Sequence, residues 1–496
     1  MEKQSTPLSM PVRLVLVIFF LLGLGIRLYD LSDPPLDFHP TRQLHSAIVA
    51  RGIYYAMAPD SDLSTRDQAV SLKATIGAFE PPIIETITAF VYKAMGGENL
   101  AIPRIINSLI WLGGGMVLFA LSRRMASTTG AVFALGYYLF LPFGVQASRS
   151  FQPDPLMTVG VIVSIFAFYR WSEERSWKWA ILAGLLSAFA VLVKIMAAYL
   201  IAGMAVAAVL YAGLRPNWRN PQVWAMAALM IVPPAGYYLF RDPGSSADYL
   251  AGWTLALIHL ITDPGFYIRW LSFLSYLMSL ALIFLGLVGV LIAKSLPRAL
   301  LMGLWIGYIL YGLTLPYQMY THDYYHIQLI PVLALSLAPM ADLLFEKLNQ
   351  LQRRWRILFV VIALAAIFYP LWTVRSTLAA QDYHHEPAYW AALGEQTPDD
   401  GNVIALTQDY GFRLMYYGWT HVSLWPSGIE RDLTELRGGD TSKFESDFAE
   451  RTADKRYFLI TALSQLAQQP ALQTMLDENY PVIARGDGYV LYDLVP

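Results

Sequence analysis

Asp37 sits in Leu36-Asp37-Phe38-His39-Pro40-Thr41-Arg42-Gln43, a polar stretch that opens directly behind the first long apolar run. A carboxylate such as Asp37 or an imidazole such as His39 can take a proton from a hydroxyl there, which is the work of a general base. Cations occur in comparable places: Arg42 in the same stretch, Arg149 in Arg149-Ser150-Phe151-Gln152-Pro153-Asp154-Pro155, and Lys194 inside a continuous apolar run. Guanidinium forks and ammonium groups hold phosphate oxygens, and at the mouth of an apolar cavity they suit a phosphate whose other end is a lipid chain. Asp154 and Glu80 add carboxylates able to orient an acceptor or a basic partner. Tyr324, Tyr325 and His326, in His322-Asp323-Tyr324-Tyr325-His326, add groups able to contact a donor. The same run could instead ligate a divalent cation with Glu80, although its histidine spacing is not that of a zinc site. No cofactor is assigned, and a divalent cation stays an open alternative. Taken singly, each residue has a plainer reading: Arg and Lys snorkel to an interface, and Asp154 caps a helix. Together they point to transfer of a group from a lipid-linked phosphate.

The elements that must position them are membrane helices. Of 496 residues 56% are hydrophobic and only 15% charged, the composition of a polytopic membrane protein. A net charge of -2 with no concentrated basic stretch excludes a nucleic-acid partner. The absence of cysteine excludes a disulfide framework and a thiolate site. The first apolar run lacks a cleavage pattern and reads as a retained span. Runs of about 20 apolar residues place eleven spans near 12–29, 105–122, 129–148, 156–171, 179–193, 195–213, 222–240, 271–293, 299–315, 327–345 and 357–374. The run 179–213 is broken only by Lys194 and reads as two short spans meeting there.

Basic residues orient the chain. With a cytoplasmic N-terminus, Arg123 and Arg124, then Arg170, Arg175 and Lys178, then Arg215 and Arg219, then Lys294 and Arg298, then Lys347, Arg353, Arg354 and Arg356 all fall inside. The outer face then receives residues 30–104, the short segment around Arg149 to Asp154, residues 241–270, residues 316–326 and the tail. Within 30–104, residues 41–57 read as an amphipathic helix on the membrane surface. The apolar stretch after Phe79-Glu80-Pro81-Pro82, ending at Gly96-Gly97, reads as a juxtamembrane helix. The expected organisation is a membrane domain over residues 1–375 and a small extracytoplasmic α/β domain over 376–496. Strands in that tail are expected at 403–407, 421–425, 456–461, 481–485 and 489–493, with helices near 441–452 and 464–479. Asp487-Gly488 signals a hairpin. No phosphate loop, metal cluster or nucleophile elbow appears in the tail, so it reads as a surface or acceptor-docking module.

Five features in order resemble the ArnT and protein O-mannosyltransferase-like glycosyltransferases of the GT-C fold. They are the outer loop with His39-Pro40, the step Phe79-Glu80-Pro81-Pro82, the Arg-led span Arg104-Ile105-Ile106-Asn107, the outer Asp154 before the fourth span, and Tyr324-Tyr325 entering a span that contains Pro331. The resemblance covers about residues 10–375. It implies an α-helical polytopic enzyme of the cytoplasmic membrane that takes a sugar from a polyprenyl-phosphate donor on the outer face. The sugar would pass with inversion to a hydroxyl of a lipid, glycan or protein. Many relatives read His-Pro-Asp-Glu in the first loop, whereas here His39-Pro40 precedes Thr41-Arg42. Asp37 is the replacement base and His39 its rival. Arg42, Arg149 and Lys194 would stabilise the departing lipid phosphate. A transporter or lipid flippase with a charged outer cavity is the alternative, but it predicts internal repeats that are not evident.

Overall fold

The computed structural model describes residues 7–58, 62–77, 80–241, 247–350, 352–397 and 402–495; Phe79 lies outside them. The chain divides into two compact units. One comprises Met1–Leu31, Phe79–Pro81 and Arg104–Gln381, the other Ser32–Ala78, Pro82–Pro103 and Asp382–Pro496.

The first unit is a bundle of apolar helices and makes the chain a multi-pass membrane protein. Among the described residues, seven helices are long and apolar enough to cross a membrane: Met10–Leu28, Ala101–Met125, Asp154–Glu174, Pro221–Phe240, Ser295–Thr314, Leu329–Leu348 and Arg353–Ala380. Two expected straight spans prove to be bent pairs, Thr128–Phe140 with Pro142–Arg149 at 60° and Pro264–Met278 with Leu280–Ile292 at 93°. Pro142 explains the first bend, since a proline has no N–H for the preceding turn and its ring clashes with it. At the second, Ser279 takes a positive φ of 64° with ψ 120°, outside the helical region, which stops one helix and starts another. The shorter helices Trp177–Val193 and Ala197–Tyr211 meet around Lys194, as expected. Lys194 itself is extended, φ -159° and ψ 124°.

Small residues let these helices touch. Gly203 on Ala197–Tyr211 faces Gly303 and Gly307 on Ser295–Thr314, and a Cβ built at Gly303 would run into the Gly203 carbonyl oxygen. Such spacing allows close backbone approach where no hydrophobic driving force separates helix from lipid. Gly303→Val should therefore lower stability by about 1–3 kcal/mol, read as a lower thermal midpoint in detergent, while a substitution at Gly113, where a Cβ meets no atom within 4 Å, should not.

The second unit joins the first polar loop to the tail. Helix Pro40–Ala56, expected on a membrane surface, is instead its central helix. Gln43, Ser46 and Arg51 are buried along with Leu44, Ala47, Ile48 and Ala50, because the helix packs on Leu63–Thr75, Ile83–Met95 and Phe412–Tyr417 and has no free apolar stripe. Ile83–Met95 ends at Gly96, φ 77°, the left-handed cap its sequence signalled. Arg51 holds this packing together. Its Nε lies 3.1 and 3.0 Å from the Glu98 carboxylate oxygens, its Nη1 donates to the Tyr416 carbonyl, and the guanidinium stacks 3.8 Å from the Tyr416 ring and 4.1 Å from the Trp419 ring. Burial acts to lower the Arg51 pKa, but Tyr416 and Glu98 outweigh it and hold the group charged above its ordinary range.

The tail folds as a five-stranded sheet of β1 (Val403–Leu406), β2 (Ser423–Leu424), β3 (Tyr457–Ile460), β4 (Val482–Gly486) and β5 (Tyr489–Asp493), in the order β2-β1-β3-β5-β4. β1 is parallel to β2 and β3, and β5 is antiparallel to β3 and β4. Strand residues alternate between two apolar clusters. Ile404, Leu406, Phe458 and Ile460 pack with Phe448, Leu472 and Leu476, and Val403, Ala405 and Leu459 pack with Trp390, Leu393 and Leu414. Both faces of the sheet are thus covered by helices. Gly488, φ 79°, turns the hairpin between β4 and β5.

Candidate functional site

Within the first unit, the loop 150–153 delivers Asp154 to the first turn of helix Asp154–Glu174, where the positive end of the helix dipole favours a carboxylate. The break between Trp177–Val193 and Ala197–Tyr211 delivers Lys194. Lys194 Nζ donates to Asp154 Oδ1 at 2.7 Å, with side-chain exposures of 5% and 1%. A buried pair of this kind is costly to dismantle. The ammonium also lies 4.8 Å from the Tyr324 ring and 5.2 Å from the Tyr325 ring, so the acid, the amine and both tyrosines expected at the site come together. Tyr325 in turn stacks on Tyr311 with ring centroids 6.1 Å apart, and its hydroxyl lies 3.1 Å from that of Tyr249.

His326 belongs to the fold beneath this cluster. Its Nε2 is 3.0 Å from the Met319 carbonyl and its Nδ1 is 2.6 Å from the Tyr308 hydroxyl. A carbonyl only accepts, so Nε2 carries the proton and the neutral ring accepts from Tyr308 at Nδ1. With both nitrogens engaged, the expectation that His326 contacts donor or metal gives way to a supporting role. Arg149, expected to face a lipid phosphate, likewise uses Nη1 and Nη2 on the Tyr29 and Asp30 carbonyls at 2.7 and 3.0 Å. Glu80 is half-buried and lies within electrostatic range of Tyr237 and Tyr238.

Arg27 is a supporting residue that sequence reasoning missed. Fully buried, it donates from Nε to Ser148 Oγ at 2.7 Å and from Nη1 to the carbonyls of Gly23 and Leu139 at 2.9 and 3.0 Å. Leu139 lies at the bend before Pro142, where carbonyls lose their helical donors. Arg27 therefore ties the first span to both arms of the bend, and Arg149, at the far end of that bend, ties back to the chain leaving the first span. Its only sequence signal is a cation near the end of an apolar helix, which the plainer reading takes as snorkelling. Arg27→Met should lower stability by about 1–3 kcal/mol through unmet acceptors, with Arg27→Lys recovering part, measured as detergent thermal midpoints of the full chain.

In the second unit, Asp37 and His39 lie just before helix Pro40–Ala56 and are both half-buried. Gln43 Nε2 organises their loop, donating to the Phe38 and Pro35 carbonyls at 2.7 and 3.1 Å and lying 3.5 Å from Asp37 Oδ1. His39 adopts φ 46° and ψ 68°, a conformation uncommon for a residue with a Cβ, and its ring meets Phe38 edge-on. Arg42 is half-buried one turn on. Elsewhere in this unit, Asp33, Asp382 and His384 bring potential ligand atoms within 4.8 Å of one another. His384 Nδ1 lies 2.9 Å from Asp382 and 3.2 Å from Asp33, so hydrogen bonding already accounts for the grouping. Its hydrogen bonds to Asp382 hold that carboxyl below its ordinary range. Sequence reading missed this group because its members lie some 350 residues apart.

Residues 80–238, which include Glu80, Arg149, Asp154 and Lys194, match the family model for dolichyl-phosphate-mannose-protein mannosyltransferases. No curated protein matches the chain. Among solved structures the chain is similar to ArnT from Cupriavidus metallidurans bound to undecaprenyl phosphate, at 15% identity and a TM-score of 0.57 over 98% of each chain. It is also similar to the oligosaccharyltransferase AglB from Archaeoglobus fulgidus in complex with an inhibitory peptide and a dolichol-phosphate. There the identity is 13% and the TM-score 0.63, covering 97% of this chain and 74% of that one. The likeness extends through the tail and bears out the architecture expected from the motifs. The match over residues 80–238 thus marks a resemblance to that family in this segment, and the chain as a whole shares the GT-C-like fold of ArnT and AglB.

Proposed function

We propose that the protein is a membrane glycosyltransferase that moves a sugar from a polyprenyl-phosphate donor to an acceptor hydroxyl on the outer face of the cytoplasmic membrane, with inversion. The observation that carries the reading is the buried Lys194–Asp154 pair against Tyr324 and Tyr325, set in a chain whose fold follows ArnT over 98% of its length. ArnT was solved with undecaprenyl phosphate and AglB with a dolichol-phosphate, and a lipid-linked phosphate is the chemistry that outer-face cations suit. The placement of the basic loops supports a cytoplasmic N-terminus and an extracytoplasmic tail.

In this mechanism Asp37 takes the proton of the acceptor hydroxyl as its oxygen attacks the anomeric carbon. The ammonium of Lys194 stabilises charge developing on the departing lipid phosphate. Arg42 offers a second cation one turn after His39. Attack from the face opposite the phosphate breaks the anomeric C–O bond and inverts the centre. The acceptor is a lipid, glycan or protein hydroxyl.

The test is transfer of radiolabelled sugar from a panel of polyprenyl-phosphate sugars to endogenous membrane acceptors. Label should move with at least one donor. Silence with every donor, from protein shown to be folded, would remove the reading.

A further inference from the structure

The entrance to helix Asp154–Glu174 holds polar atoms that the fold leaves unsatisfied. Asp154 Oδ2, both amide atoms of Gln152, Asn107 Oδ1 and Thr158 Oγ1 have no hydrogen-bond partner among the described residues. All four side chains are buried, with exposures of 0–1%. They are also neighbours. Asn107 Nδ2 donates to the Ser150 and Gln152 carbonyls at 2.6 and 3.1 Å, which sets its free oxygen beside the loop. Thr158 lies one turn after Asp154 on the same helix face. A native fold rarely buries that many unmet polar atoms in one place, and a buried polar group is costly unless a partner reaches it.

The donor and acceptor pattern decides what partner fits. Asp154 Oδ2 and Asn107 Oδ1 only accept, Gln152 both donates and accepts, and the Thr158 hydroxyl does either. An anionic ligand would find neither an Arg fork nor any other cationic donor among these unmet atoms. A metal ion would have to approach an acid already neutralised by the Lys194 ammonium at 2.7 Å. A neutral ligand with several hydroxyls meets neither objection, because each hydroxyl donates one bond and accepts others. Lys194 links Asp154 to the Tyr324 and Tyr325 rings, and aromatic walls with a few placed polar groups suit a ligand with an apolar ring face and a polar rim.

We infer that Asn107, Gln152, Asp154 and Thr158 form the subsite that reads the hydroxyl groups of the donor's sugar ring, with Gln152 as the residue that sets donor selectivity. The inference rests on the glycosyltransferase reading above. It names where in the first unit the sugar is recognised, as distinct from the lipid phosphate.

The experiment compares kcat/KM for an active donor and its singly deoxygenated analogues, using full-length wild type, Gln152→Leu and Thr158→Val in detergent. Inhibition by polyprenyl phosphate lacking a sugar is measured in parallel. Wild type should disfavour at least one deoxy donor by about tenfold or more. Gln152→Leu should collapse that ratio toward one and leave inhibition by the bare lipid phosphate unchanged within about twofold. Should Gln152→Leu fail to fold, Thr158→Val carries the same test, with loss of discrimination expected at a hydroxyl. Unchanged discrimination in the folded variants would overturn the inference, as would loss of bare lipid-phosphate binding in step with activity, which marks general damage. Wild type that is silent with every donor overturns the glycosyltransferase reading and this inference with it, and that outcome is visible before any variant is made.

Discussion

Lys194→Met should lower the stability of the full chain by about 3–5 kcal/mol, the cost of leaving a buried charge without its partner. The amine lies 2.7 Å from Asp154 Oδ1, and the carboxylate is 1% exposed, so water cannot take its place. Methionine fills much the same volume, which removes packing loss as the explanation of a large effect. The companion variant separates charge from shape. Asp154→Asn with Lys194→Met carries no buried charge, and buried pairs replaced together are often neutral, so the double variant should regain most of the lost stability. It should not regain transfer, because the amine proposed to meet the donor phosphate is gone. Denaturation midpoints in detergent, read for both single variants and the double variant, give the coupling directly. A Lys194→Met midpoint equal to wild type would mean that the pair does not form in the folded protein.

Much of this architecture is legible because the relevant signals are local. A membrane span needs about 20 apolar residues in a row, and the expected segments reappear as helices. Lys194 reads as a break because a lone cation interrupts an apolar run that is too long for one crossing. In the tail, alternation and β-branched residues mark β1, β3 and β5, and Asp487-Gly488 marks the hairpin. The two bends are harder. Pro142 was a visible cue within the span expected over 129–148, but a proline inside a membrane helix can be tolerated, and Ser279 carries no propensity signal at all for its φ of 64°.

The rest depends on contacts between distant parts of the sequence. Periodicity around 40–56 shows a helix, but not that Arg51 will meet Glu98 and the Tyr416 carbonyl 365 residues away. A reading by local pattern therefore laid that helix on a membrane, whereas the second unit buries it. The candidate site divides in the same way. Asp154, Lys194, Tyr324 and Tyr325 were recognisable as polar groups at span ends, and they do assemble. Arg149 and His326 looked equivalent to them in sequence, yet their nitrogens are engaged by backbone carbonyls and the Tyr308 hydroxyl. Residue type alone cannot distinguish a group aimed at a ligand from one that braces a helix end.

Asp37→Asn should reduce kcat for sugar transfer by about 10²–10⁴-fold, the range over which a positioned general base contributes, with little change in the donor KM. The substitution keeps the shape of the side chain and an oxygen near Gln43 Nε2, whose stronger bonds run to the Phe38 and Pro35 carbonyls, so the loop should hold its form. It removes only the capacity to accept a proton. His39 demands a different replacement because of its left-handed backbone, φ 46°. Asparagine tolerates that conformation better than most residues, so His39→Asn removes the imidazole without adding backbone strain, whereas alanine would confound the two. If Asp37 is the base, His39→Asn should retain activity within about tenfold, well short of the loss of a general base. The reverse pattern, with His39→Asn silent and Asp37→Asn active, would transfer the role to the imidazole. Parallel losses in kcat from both would mean that the loop acts as a unit, since residues that work together in one step are not additive. Activity should be compared at matched amounts of folded protein, and the donor should be one that wild type demonstrably uses, so that a lost signal reports the base and not the substrate.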